Sequence, residues 1–151
     1  MKEFFITIGG KDRRLRYTSS DAIRLFQRFG KPLRTLVRED LMGLDADNKA
    51  TREFRPDVQL AFLHLGLAHD IPRLTEDQVT TWMDQLLEEG GDIQDVVTVA
   101  TKAAYYSGIV LGVRYDVDAE QEKAQEQIGE GKGQAAPEPP TSTPPAVPAA
   151  E

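Results

Sequence analysis

Two histidines in the stretch PDVQLAFLHLGLAHD, residues 56–70, are the first place in this sequence to look for chemistry. They are the only histidines in a chain of 151 residues. His64 and His69 stand five apart, which is roughly 140° around a helix at about 100° per residue, so they do not share a face. A zinc helix would need a same-face pair and a further ligand, and the chain has no cysteine and no third histidine. His64 lies among Leu60, Leu63 and Leu67 and reads as a packed, hydrogen-bonded core residue. Asp45-x-Asp47 has the opening spacing of a calcium loop but lacks the glycine and the closing acid that such a loop requires. Ser19, Ser20 and Ser107 have no nucleophile elbow around them and read as cap or helix-surface residues. Glu88 and Glu89 are consecutive, so on a helix they point in different directions. No phosphate-binding glycine loop is present. None of these residues therefore reads as a catalytic group, and no cofactor or metal site is expected.

The arginines carry more weight. Arg13, Arg14, Arg16, Arg24, Arg28, Lys31, Arg34 and Arg38 make the N-terminal third basic. Residues 1–55 hold 13 bases and 8 acids, a net of +5, whereas residues 56–116 hold 3 bases and 10 acids, a net of −7. Three readings of this basic third stand side by side: a solvated face, a surface for an acidic protein, and a nucleic-acid ribbon. A whole-chain charge of −7, no aromatic stacking ladder and no recognised binding motif weigh against nucleic acid.

The elements that must position these residues begin with a hairpin. In FFITIGGKDRRLRYT, Phe4, Ile6 and Ile8 alternate with Glu3, Phe5 and Thr7, and Gly9-Gly10-Lys11-Asp12 supplies a tight turn. Leu15 and Tyr17 then share the inner face, while Arg14 and Arg16 face outward. Five helical segments are expected after it. Ser19 or Ser20 caps the first, with Ala22, Leu25, Phe26 and Phe29 on its apolar stripe and Gly30 as its end. Pro32 opens a short second helix with Leu33, Leu36, Val37 and Leu41 inward. Pro56 opens a third that is apolar nearly all round and therefore central. Thr75 and Gln78 frame a capping box before a stripe of Val79, Trp82, Met83 and Leu86. Asp92 starts the fifth, with Ile93, Val96, Val97, Ala100, Ala104, Ser107 and Leu111 inward. Near its end, Gly108 and Gly112 form a G-x-x-x-G that permits close helix approach or a subunit contact. A lone hairpin is marginal in water, so it must pack on these helices. The expected class is α+β, an N-terminal hairpin on a bundle of about five mostly short helices.

Composition changes near Asp116. Residues 117–151 hold six of the nine prolines, seven acids and two bases. Large apolar residues are too few there to offset the entropy of ordering. The expectation is a globular domain over 1–116 and a tail over 117–151. The tail would be a charged helical extension to about Ile128, then a Pro/Ala-rich segment without fixed structure, polyproline in character. The longest apolar run, around Ile109–Val113, is far short of the about 18 residues a membrane span needs. With an N-terminus that lacks an apolar leader, this predicts a soluble, intracellular chain without a membrane or nucleic-acid partner.

The order of features resembles the tail assembly chaperones of long-tailed phages and phage-like gene transfer agents. The resemblance rests on a basic strand at Arg14–Thr18, on Gly30–Leu33 closing the first helix, and on an apolar helix over Leu60–Asp70. Leu74–Val79, in LTEDQV, completes it, so that it covers about residues 3–112. It implies a non-enzymatic protein that binds the tape measure protein, keeps it soluble and helps recruit tail tube subunits. It also implies residence in the cytoplasm of the bacterial host during assembly and absence from the mature virion. The family's longer frameshifted product would alter the region that the acidic tail occupies. A groove between hairpin and helices would hold the client. Arg14, Arg16, Phe5 and Trp82 are the expected partner-binding residues, and Tyr17 and Phe29 are further candidates for its lining, each otherwise a core residue. Self-association is a further expectation. The alternatives are a structural virion protein, such as a tail completion or connector subunit, and a small nucleic-acid-binding regulator using the hairpin arginines.

Overall fold

Strand β1, Phe4–Ile8, pairs antiparallel with β2, Lys11–Leu15, in a register that sets Phe4 opposite Leu15 and Ile8 opposite Lys11. The computed structural model describes residues 1–51 and 53–135. Only Gly9 and Gly10 form the turn, at φ +64° and +83°, a left-handed pair that suits the twist of a two-residue hairpin. Lys11 and Asp12, expected in the turn, belong to β2 instead, and the Thr7 hydroxyl donates to Asp12 Oδ1 across the strands at 2.6 Å. The alternation works as expected, with Ile6, Ile8, Leu15 and Tyr17 buried and Phe5 exposed on the other face.

Helix α1 spans Ser19–Phe29. Its cap is Thr18, one residue before the expected serines, because Asp21 reaches back to accept from the Thr18 backbone N–H at 2.8 Å. Gly30 ends the helix in the left-handed region, as expected. Helix α2, Leu33–Leu36, runs on through a π-helical turn, Val37–Leu41, in which the Met42 N–H donates to the Val37 carbonyl. The wider turn brings Val37, Asp40 and Leu41 to the interior together with Leu33 and Leu36.

Helix α3, Pro56–Ala68, is the hub. Val58, Ala61, Phe62, Leu63 and Leu67 are buried, and the helix touches β2, α1, the π-helical turn, α4 and α5. Burying each large side chain contributes about 1.5–3 kcal/mol as an upper figure, so this helix holds the domain together. Helix α4, Glu76–Glu88, carries the expected Thr75/Gln78 capping box in both directions, at 3.1 and 3.0 Å. Helix α5, Ile93–Ser107, starts at an Asp92 cap and ends at Gly108, φ +91°. The expected inward run thus stops before Leu111. Gly108 is a helix terminator, and the Gly112 N–H donates to its carbonyl at 2.9 Å, closing a turn rather than extending a helix interface.

The architecture is α+β, a hairpin packed on helices. The chain divides into two units, Met1–Tyr115 and Asp116–Glu151. In the second, helix α6 runs over Val117–Ala135 and includes the expected charged extension. The rest of the Pro/Ala-rich segment, 136–151, lies outside the described residues. No helix among the described residues is long and apolar enough to cross a membrane.

Candidate partner-binding surface

Cross-strand partners share a face, so Arg13, opposite Ile6, sits on the core side of the hairpin, and Arg14, opposite Phe5, on the outer side. Arg13 donates from Nε to the Ile8 carbonyl at 2.7 Å and from Nη2 to the Gly9 carbonyl at 2.9 Å. Its guanidinium lies 4.0 Å from the centre of the Trp82 ring. Trp82 in turn lies against the turn, where an added Cβ at Gly9 would come within 2.6 Å of the indole. Trp82, expected to line a client groove, is thus half-buried and joins α4 to the hairpin. Gly9→Ala should therefore destabilise the domain by about 2 kcal/mol, through both the left-handed φ and the indole clash, whereas Gly10→Ala meets only the φ penalty. Urea unfolding of the two variants checks the difference.

Arg14 is outward but engaged. Nε and Nη2 donate to the two carboxylate oxygens of Asp70 at 2.8 and 2.9 Å, and Nη1 donates to Glu3 at 2.9 Å. The fork ties the outer strand to the end of α3 and lowers the Asp70 carboxyl below its ordinary range through that hydrogen bond. Arg28 holds Glu76 in the same way, and Arg55 holds Asp57. Lys31 bonds Glu39 and the buried Asp40. Arg38 donates to the Asp45 carbonyl at 2.9 Å. Among the described residues, Arg16, Arg24 and Arg34 have no ion-pair partner. Four of the eight clustered cations, Arg14, Arg28, Lys31 and Arg38, thus pair with acids of their own fold.

A pH dependence follows from these pairs. The three carboxyls titrate lower in the fold than in the unfolded chain, so their contribution is complete above the ordinary carboxylate range. It is lost as pH falls through that range toward the lowered folded values, below about pH 4. All three pairs are solvent-accessible, so the acid limb is shallow and weakened by salt. Urea midpoints at pH 7, 4.5 and 3 should fall only in the last step, and Asp70→Asn should flatten that step.

The remaining chemical candidates have structural partners. His64 Nε2–H donates to the Leu74 carbonyl at 2.8 Å, just ahead of α4. His69, on another face as its spacing implies, donates from Nε2 to Asp21 Oδ2 at 2.7 Å. Asp21 is 3% exposed, and the same oxygen also accepts from the Thr18 N–H and hydroxyl. Asp45 Oδ1 accepts from the Asp47 and Lys49 N–H groups, which makes the D-x-D spacing a turn. Among the described residues no group of three or more His, Asp or Glu side chains is placed to hold a metal.

Of the four expected partner-binding residues, Arg16 and Phe5 are exposed, Phe5 at 52%. Tyr17 is core, stacked on Phe62 at 4.6 Å between ring centres with its hydroxyl donated to the Phe62 carbonyl. Phe29 is half-buried between the guanidinium groups of Arg28 and Arg55.

An apolar groove lies elsewhere than the expected lining. Ala22, Ile23 and Phe26 of α1, Pro32 at the start of α2, Leu33, and Ile109 and Val110 line a space of about 300 Å³. Arg34 is its one charged lining residue. Ile23 is 57% exposed and Phe26 53%. Phe26 was expected in the core stripe of α1, but Leu25 and Asp21 take the inward positions and leave Phe26 beside Ala22 on the groove side. The signal was in the sequence: Ile23 and Phe26 stand three apart, and Ile23 lies off the stripe.

Compared with protein-family models, curated proteins and solved structures, this chain matches none.

Proposed function

We propose that this protein is a tail assembly chaperone, a non-enzymatic holder of the long helical tape measure protein during phage tail construction. The observation that carries the reading is the solvent-facing groove of Ile23, Phe26, Leu33, Ile109 and Val110. A helix-in-groove surface of this kind suits an amphipathic segment that would aggregate if left uncovered. The surrounding charge keeps the holder soluble and the contact reversible. The order of hairpin, short helices and central apolar helix agrees with the resemblance drawn from residues 3–112. In this reading the chain works in the bacterial cytoplasm, helps recruit tail tube subunits, and leaves before the particle is finished.

The test is co-expression with the long helical reading frame that this account places beside its gene. The tape measure protein should be insoluble alone and soluble with this chain. If it is equally soluble and unbound in both cases, the chaperone reading is wrong. If the chain is found in purified particles at stoichiometric amounts, it is a structural subunit instead.

A further inference from the structure

A second concavity lies on the other side of β2, between the hairpin and α5. It encloses about 190 Å³. Phe4, Leu15 and Tyr106 supply apolar wall, and Lys2, Arg16 and Arg114 are its charged lining residues. Among the described residues no carboxylate lines it. Phe4 and Tyr106 pack at 5.6 Å between ring centres, and the Tyr106 hydroxyl accepts the Lys2 backbone N–H at 3.2 Å, so the wall is fixed. The Arg114 guanidinium lies over the Tyr106 ring at 4.9 Å, which holds it at the cleft.

The cations at this cleft differ from those that the fold itself engages. Arg13, Arg14, Arg28, Lys31 and Arg38 are each spent on a carbonyl or carboxylate of their own fold. Arg16 and Arg114 are exposed, and among the described residues neither guanidinium makes a hydrogen bond or ion pair, although the charge of Arg16 reaches Asp70 and helps lower its carboxyl. Two forked donors lining one apolar cleft suit carboxylates carried beside an apolar side chain. In a chain of net charge −7, such a spot selects its partner locally rather than through the field of the whole molecule.

We propose that the Arg16–Arg114 cleft is an anchor for an acidic segment of the protein partner, with aspartate or glutamate on the arginines and a neighbouring apolar side chain against Phe4 and Tyr106. The identity of that partner as the tape measure protein rests on the proposed function; the chemistry of the anchor does not. An isologous second copy is disfavoured, because a two-fold contact at this cleft would bring its cations against each other.

The experiment uses the full chain and a synthetic twelve-residue fluorescent peptide with alternating glutamate and leucine. Its controls are the glutamine-for-glutamate version and a single-stranded oligonucleotide of equal charge. The acidic peptide should bind at least tenfold more tightly than the glutamine peptide at low salt and lose that advantage by about 0.5 M salt. Arg16→Gln and Arg114→Gln should each weaken it about fivefold, and the pair should abolish the preference. Both positions are exposed, and circular dichroism confirms the fold of each variant. Equal binding of the two peptides, wild-type binding by the double variant, or tighter binding of the oligonucleotide would each overturn the proposal. Full retention of the tape measure protein by the double variant would remove the anchor and leave the chaperone reading intact. Failure of the wild type to retain it would do the reverse.

Discussion

Gly66→Val is expected to lower the stability of the domain by about 3 kcal/mol or more, enough to unfold a marginal fold. Gly66 sits in the last turns of α3 where the hairpin docks. A Cβ there would lie 2.5 Å from Tyr17 Cζ and Oη and 2.9 Å from Leu15 Cδ2. Neither neighbour can yield. Tyr17 is 4% exposed, stacked on Phe62 and hydrogen-bonded to its carbonyl at 2.7 Å, and Leu15 is buried beside it. The backbone is pinned as well, since the Arg16 N–H donates to the Gly66 carbonyl at 3.0 Å. Gly66→Ala isolates the clash. Helix propensity alone would favour alanine by about 1 kcal/mol, yet the overlap makes the substitution net destabilising by about 1–2 kcal/mol. Tyr17→Leu in the same chain should restore part of that loss, with a coupling above about 0.5 kcal/mol. Urea unfolding of the four proteins measures it, and a stabilised Gly66→Ala would show that the helix and hairpin do not meet this closely.

The second large effect is at Asp21. Its buried Oδ2 accepts from the Thr18 N–H, the Thr18 hydroxyl and His69 Nε2–H, so one carboxylate caps α1 and ties it to the end of α3. Asp21→Ala leaves these donors without their acceptor and should cost about 3 kcal/mol. Asp21→Asn keeps an acceptor oxygen and should cost clearly less. His69→Ala removes only one of the three bonds and should fall between wild type and Asp21→Ala. Thermal unfolding of the three variants checks the order.

Much of the fold was legible because it rests on local rules. The hairpin follows from alternation and a glycine pair, the α4 start from Thr75 and Gln78, and the central place of α3 from a helix apolar all round. The divergences have a common cause in contacts between elements. Asp21 looks like an ordinary first-turn acid, but it reaches back to the Thr18 N–H and sets the cap there, and α3 brings His69 to the same oxygen. Phe26 belongs to an apolar stripe by spacing, but Leu25 takes the inward position and Phe26 stays out. The arginines looked like a basic face because sequence shows their clustering and not their partners. Asp70 and Glu76, which engage Arg14 and Arg28, lie 56 and 48 residues away. Of Arg14 and Arg16, only Arg16 has no ion-pair partner among the described residues, and Arg114 comes to the same cleft through the approach of α5 to the hairpin.

The most direct test of the central claim is retention of the tape measure protein by the affinity-tagged chain in co-expressing cells, compared with an Ile23→Ser/Phe26→Ser variant. Both side chains are more than half exposed, so the variant should fold as the wild type does, which its urea midpoint checks. The wild type should hold the tape measure protein in the soluble fraction and on the resin, and the variant should lose at least nine-tenths of it. Equal retention by a folded variant, or none by the wild type, would contradict it.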